Sequence, residues 1–255
     1  MTIKYLISIL LMTSIIAKSY VGGDTWNRPS INKEFFKNQD TIIRDLILRT
    51  VKVVNKSGSL GTAFLVKELE DTYVFLTNYH VMEGHRDCKK SKVLIIDEEF
   101  NKVTQKCLRV FKEGFKKQGT DFLYFEIKKT DKTSFLSHLP QIKYIKNNPI
   151  AGDRLVTIGF GGARAKINRY DASISLDDDC VYLNGNRDIK FNRSSMKNIF
   201  FTACDAQSGD SGSAIVNRDT GELVGLFFGI ASQSKKNPLT SKEISDNLGS
   251  DYMDF

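Results

Sequence analysis

From Thr50 onward the sequence breaks into apolar runs of strand length, each closed by turn-forming residues. Thr50–Val54, Leu60–Val66, Tyr73–Asn78, Val93–Ile96, Val103–Val110 and Phe122–Ile127 make one set. Leu155–Gly159, Ala172–Ser175, Cys180–Leu183, Ile199–Ala203, Ser213–Val216 and Leu223–Phe228 make a second. Gly, Asp, Asn and Lys fill the gaps. Runs this short and this frequent restrict the chain to an all-β sandwich or barrels. Asn217–Gly221, between two apolar runs, reads as a hairpin connection. The strands fall into two halves that divide near residues 137–145. A site shared between the halves would lie in the cleft where they meet. Ahead of Thr50 the period differs. Phe35-Phe36, Ile42-Ile43 and Leu46-Ile47 fall at helical spacing between Asn32 and Arg49, which predicts one or two helical turns packed on the body. Thr240-Ser241-Lys242-Glu243 fits a capping box for a short C-terminal helix.

The amino terminus follows another grammar. Lys4 is followed by a nearly unbroken apolar run, Tyr5–Ala17, and then by the small residues of Ala17-Lys18-Ser19. This reads as a secretory signal peptide over residues 1–19. The alternative, an uncleaved membrane anchor, is disfavoured because the run is short of the roughly 20 residues that span a bilayer. Stable membrane insertion after cleavage is not expected, and a secreted or periplasmic location is. Export permits disulfides. The four cysteines allow three pairings, and Cys88–Cys107 with Cys180–Cys204 would each close a short loop; buried free thiols are the competing reading. No Cys-x-x-Cys is present and there are only three histidines, so neither a metal nor a cofactor is expected. The net charge of +7 comes from lysine pairs scattered along the chain rather than from one patch, which argues against a nucleic-acid partner.

Three short stretches carry chemistry. Cys204–Val216 contains Gly209-Asp210-Ser211-Gly212, in which glycines frame one hydroxyl. Such a turn lifts a serine from its loop and aims backbone N–H groups at one spot, the arrangement that acyl transfer requires. Taken alone it is only a turn. His80 follows the apolar run Tyr73–Asn78, and Asp121 stands at the mouth of Phe122–Ile127. Singly, the first reads as a structural histidine and the second as a strand cap. Together they supply a base, an orienting acid and a nucleophile. Ser208 and Ser213 compete as nucleophile, and His85 and His138 as base, but none of them sits in these motifs.

On the motifs Gly61-Thr62-Ala63-Phe64-Leu65-Val66, Thr77-Asn78-Tyr79-His80-Val81, Asp121-Phe122-Leu123 and Gly209-Asp210-Ser211-Gly212-Ser213, the chain resembles the trypsin/chymotrypsin-fold serine peptidases. It is most like their bacterial branch of glutamyl endopeptidases and heat-shock-type proteases. Ala151–Phe160 adds a weaker match, to the strand opening a second barrel. The likeness spans about residues 50–232. It implies two six-stranded antiparallel β-barrels, over residues 50–138 and 139–236, with an N-terminal arm and short helix at 20–49 and a tail with a short helix at 237–255. It further implies an endopeptidase acting on protein or peptide through His80, Asp121 and Ser211, with the Gly209 and Ser211 amides as oxyanion hole.

Specificity is more open. Asp205 is either the base of a pocket for Lys or Arg, as in trypsin-like relatives, or a loop residue facing solvent. Glutamyl endopeptidases carry a histidine on the strand after the nucleophile. Here that stretch is Gly225–Gly229, with no histidine, so Phe227, Phe228 and Gly229 are expected to form an apolar pocket wall. Val21-Gly22-Gly23 resembles the new amino terminus of an activated trypsin-like zymogen, which would pair with Asp210; the alternative, which is preferred, is a flexible leader. A catalytically silent binding or structural protein on the same fold is the rival function, and an esterase a third.

Overall fold

The computed structural model describes residues 28–114, 119–161, 174–191 and 194–229. The proposed signal peptide, Val21-Gly22-Gly23 and the proposed C-terminal helix lie outside these residues. The described chain is two antiparallel sheets with helices against them. The first contains β1 (Thr50–Val54), β2 (Leu60–Glu68), β3 (Thr72–Thr77), β4 (Lys92–Ile96), β5 (Lys102–Lys106), β6 (Arg109–Gly114) and β7 (Phe122–Lys128). The second contains β8 (Arg154–Gly159), β9 (Ser175–Phe191), β10 (Ser194–Thr202), β11 (Ala214–Asn217) and β12 (Leu223–Leu226). The division is thus seven strands and five among the described residues, where six and six were expected.

Two differences from the expected strands have identifiable causes. Val103–Val110 was expected to be one strand. It is β5 and β6, broken at Cys107-Leu108, where the Leu108 amide turns to donate to the Glu126 carbonyl at 2.7 Å. The strand order is β5-β4-β1-β2-β3-β7-β6, so these two residues join strands on opposite edges. The corner carries the chain from one edge of the sheet to the other, and its two residues touch both sides: the Cys107 amide donates to the Ser91 carbonyl and the Leu108 amide to Glu126. In the second half, Cys180–Leu183 belongs to a 17-residue strand that pairs with β10 from Tyr182 to Phe191 as a long hairpin. Its outer part is polar in sequence, so hydropathy gave no sign of it.

The runs Ala63–Val66 and Tyr73–Leu76 are apolar throughout rather than alternating because both faces are covered. Ala63, Leu65, Tyr73 and Phe75 point into the core of the first sheet. Phe64, Val66, Val74 and Leu76 point the other way. There they meet Val156, Ile158, Ala214, Val216 and Leu223 of the second sheet, and a helical element forms the third side. That element is α1 (Lys33–Lys37) and α2 (Thr41–Arg49), two helices where one short one was expected. Asn32 caps α1 by accepting from the Phe35 amide, and Asp40 caps α2 by accepting from the Ile43 amide at 3.0 Å. Asp40 also pairs at 2.5 Å with Arg218 of the β11–β12 hairpin, so one carboxylate both starts a helix and fixes it to the second sheet. The hairpin stands where the sequence placed it. Asn217 Oδ1 accepts from the amides of Asp219 and Thr220, which is what turns the chain.

Both expected disulfides form. Cys88–Cys107 ties α4 (His85–Cys88) to the β5–β6 corner, and Cys180–Cys204 ties β9 to the start of the Cys204–Ser213 loop. Among the described residues no helix is long and apolar enough to cross a membrane.

Candidate active site

β3 ends at Thr77, and the chain turns at once into α3 (Tyr79–Met82), which carries His80. The paired strand β7 opens at Phe122, which leaves Asp121 beside it; Thr77 pairs with Leu123. Strand pairing therefore brings together two residues 41 apart in sequence. Asp121 is held from three directions. Its carbonyl accepts from Asn78 Nδ2 at 2.9 Å, Oδ1 accepts from the His80 amide at 3.1 Å, and Oδ2 lies 2.6 Å from His80 Nδ1. A carboxylate only accepts, so Nδ1 carries the proton and donates. Nε2 is thereby left as the acceptor. The Asp121 side chain is 1% exposed and the imidazole 32%, so the acid is enclosed while the base reaches an open surface.

Ser211 belongs to a loop docked on β2. Its carbonyl accepts from the Thr62 amide at 2.8 Å, and the Gly209 carbonyl accepts from Thr62 Oγ1 at 2.8 Å. Thr62 Oγ1 in turn accepts from the Phe160 amide, and the Thr62 carbonyl accepts from Thr77 Oγ1 at 2.6 Å. One buried threonine thus connects the serine loop, the first strand of the second sheet and the strand leading to His80. Gly212 makes the docking possible. It sits at φ 92°, and a Cβ there would stand 1.9 Å from the Thr62 carbonyl oxygen. Only glycine combines that dihedral with that approach. Among the described residues, neither the Gly209 nor the Ser211 amide donates to a protein acceptor.

Beneath this loop is a buried cluster of charge. Asp210 Oδ2 accepts from the Gln207 amide and lies 2.7 Å from Arg28 Nη1. The cation beside Asp210 therefore belongs to an internal side chain of the arm. Asp205 is buried, which removes the reading of a loop residue facing solvent. Its amide donates to Asp177 Oδ2 at 2.6 Å, and its carbonyl accepts from Arg28. Burial, with a hydrogen bond to the Asp179 side chain, pushes the Asp177 carboxyl up to about 8, against the pull of the Asp205 amide and of Arg28. Phe228 packs against the apolar cluster of Leu183, Met196 and Phe201, and Gly229 follows it at half-burial. A separate open cleft of about 450 Å³ is lined by Lys89, Thr104, Lys106, Leu108 and Lys128, none of which belongs to the three motifs.

Sequence reasoning named His80, Asp121, Ser211 and Asp210 but missed the roles of Arg28, Thr62 and Asp177. Thr62 was legible only as part of a motif. Arg28 carried no local signal, since a lone arginine in an irregular arm does not disclose a partner far along the chain.

A comparison with curated proteins finds no significant match. Solved structures similar to this chain include the Rv3671c protease of M. tuberculosis in its inactive form, at 16% identity and TM-score 0.53, covering 87% of this chain and 97% of that one. The active form of the same protease matches at 16% identity and TM-score 0.53, over 91% and 93%. Deg5 matches at 15% identity and TM-score 0.53, over 78% and 87%. At such identities these likenesses speak to the fold. The family model of the trypsin-like peptidase domain matches residues 61–226, which include every motif residue above except Arg28 and Phe228-Gly229. The chain thus belongs to the trypsin-like peptidase family and is a serine endopeptidase whose substrate is protein.

Proposed function

We propose that this protein is an exported serine endopeptidase working through an acyl-enzyme, with Ser211 as nucleophile, His80 as base and Asp121 as its orienting acid. The observation that carries the reading is the 2.6 Å contact between His80 Nδ1 and Asp121 Oδ2, reinforced by the His80 amide on the same carboxylate. With the Nδ1 proton so held, Nε2 accepts the Ser211 proton as Oγ forms its bond to the scissile carbonyl carbon. The C–N bond then breaks, and the imidazolium returns that proton to the leaving amine. Water repeats the sequence on the ester and releases the acid. The amides of Gly209 and Ser211, which have no protein acceptor among the described residues, serve the developing oxyanion. Phe228 and Gly229 form an apolar wall for the substrate side chain. Asp205, buried with its backbone tied to Asp177 and Arg28, is the candidate for the base of that pocket. Export fits the apolar leader and the two disulfides.

Labelling by a fluorophosphonate probe tests the proposal. Folded, oxidised wild type should label and cleave peptides. Ser211→Ala should lose both, with turnover down by about 10⁶-fold. Comparing Lys/Arg, Phe and Glu peptides in wild type and Asp205→Ala reads the pocket. Folded wild type that never labels would mark the chain as the rival, a binding protein on a protease fold.

A further inference from the structure

The buried pair beneath the serine loop has a consequence for how the loop is set. Arg28 lies 182 residues before Asp210, and the two side chains are 1% and 2% exposed. The guanidinium does more than neutralise the acid. Nη1 donates to Asp210 Oδ2 at 2.7 Å and to the Asp205 carbonyl at 2.9 Å, and Nη2 donates to the Ser175 carbonyl at 3.3 Å. One planar group thereby clamps both ends of segment 205–210 and fastens it to β9. The carboxylate also accepts from the Gln207 amide at 2.7 Å, closing the turn that precedes Ser211. The pocket fits the carboxylate tightly: a Cβ at Gly159 or Gly161 would stand 2.4 Å from an Asp210 carboxylate oxygen.

The arm that delivers Arg28 is held by its own backbone. The Ile31 amide donates to the Ile174 carbonyl at 2.8 Å, the Leu176 amide donates to the Pro29 carbonyl at 3.3 Å, and Ser30 forms an antiparallel bridge with Ser175. The guanidinium is thus presented by a backbone anchored through the two main-chain hydrogen bonds that frame the Ser30–Ser175 bridge. An unpaired carboxylate at this depth would be strongly disfavoured, and the turn would rearrange to reach water.

We propose that Arg28 is the positioning residue of the serine loop, an internal cation that sets Asp210 and segment 205–211 in the working arrangement without a newly freed amino terminus. The inference rests on the reading of Ser211 as nucleophile and deepens it by assigning how that site is switched on: formation of the arm–β9 contact takes the place of an activating cut. A full chain with residues ahead of Arg28 still attached is then as competent as any shortened form.

The test uses the full, oxidised chain with Arg28→Gln, Arg28→Lys and, as a control, Arg154→Gln, which removes an exposed ion pair with Asp219. Two readouts are taken: the rate of fluorophosphonate labelling, and amide hydrogen exchange across residues 205–213. Arg28→Gln should label about 10²–10³-fold more slowly, the scale of losing one oxyanion donor. Exchange should accelerate across 205–213 and stay unchanged across β1–β3. Arg28→Lys should recover part of the rate, and free guanidinium ion at sub-denaturing concentration should restore part of the labelling of Arg28→Gln. Arg154→Gln should behave as wild type. Unchanged labelling and exchange in Arg28→Gln overturn the inference. So does a loss that tracks the unfolded fraction with no rescue by lysine or guanidinium. Wild type that fails to label sinks the nucleophile reading instead, and the exchange measurement still decides whether Arg28 sets the loop.

Discussion

Thr62 joins the site to both sheets. It sits mid-strand in β2, and its hydroxyl both donates to the Gly209 carbonyl and accepts from the Phe160 amide, with no exposure to water. Thr62→Val keeps the shape and removes the hydroxyl. It strands a buried donor and a buried acceptor, each worth about 1–3 kcal/mol when left unmade. The expected result is a lower unfolding midpoint and slower probe labelling. Thr62→Ser should stay near wild type in both, and a Val variant that matches wild type would remove Thr62 from this role. Asp121 is a second residue-scale case. Asp121→Asn preserves size but offers an amide to His80, which favours the wrong tautomer. Turnover should fall by about 10⁴-fold with little change in folding, read from steady-state kinetics beside a thermal melt.

At the level of elements, β9 bears on stability and pH together. It carries Asp177 and Cys180 under the serine loop, and Asp177 prefers its neutral form because it is buried beside Asp179. A carboxyl that titrates near 3.8 in the unfolded chain and near 8 in the folded one binds its proton more tightly when folded. The stability it contributes is present at low pH and is lost as pH rises through about 8. Urea unfolding at about pH 5 and about pH 9 should show wild type weaker at the higher pH. Asp177→Asn, which keeps an acceptor for the Asp205 amide, should flatten that difference; an unchanged slope in this variant would acquit Asp177.

The whole molecule is organised around a shared core. Ile43 and Ile47 of α2 are fully buried against Phe64 and Val66 of the first sheet and Val156 and Val216 of the second. Ile47→Ala should therefore cost about 2–5 kcal/mol and move the unfolding of both sheets together. Tryptophan-free probes in each sheet, such as hydrogen exchange of β3 and of β11, check this; separate transitions would mean the helices serve one sheet only.

Local chemistry was legible in the sequence. Strand runs follow from residues that pack on pleated surfaces, the 217–221 hairpin from Asn217 bonding its own backbone, and the motifs of His80, Asp121 and Ser211 from residue types beside turns. Residue type and spacing along the chain thus set an all-β protein in two halves, with a base, an acid and a framed serine. The remainder came from contacts between residues far apart in the chain. The split of Val103–Val110 into β5 and β6 depended on a corner that carries the chain between opposite edges of the first sheet, which no local preference records. The length of β9 depended on pairing with β10, because backbone ladders extend through polar residues that hydropathy passes over. The burial of Asp205 and the partnership of Arg28 with Asp210 arise only when residues from the arm, β9 and the serine loop converge. Long-range charge pairing leaves no periodicity in the chain, so only the folded backbone could name the cation that Asp210 meets.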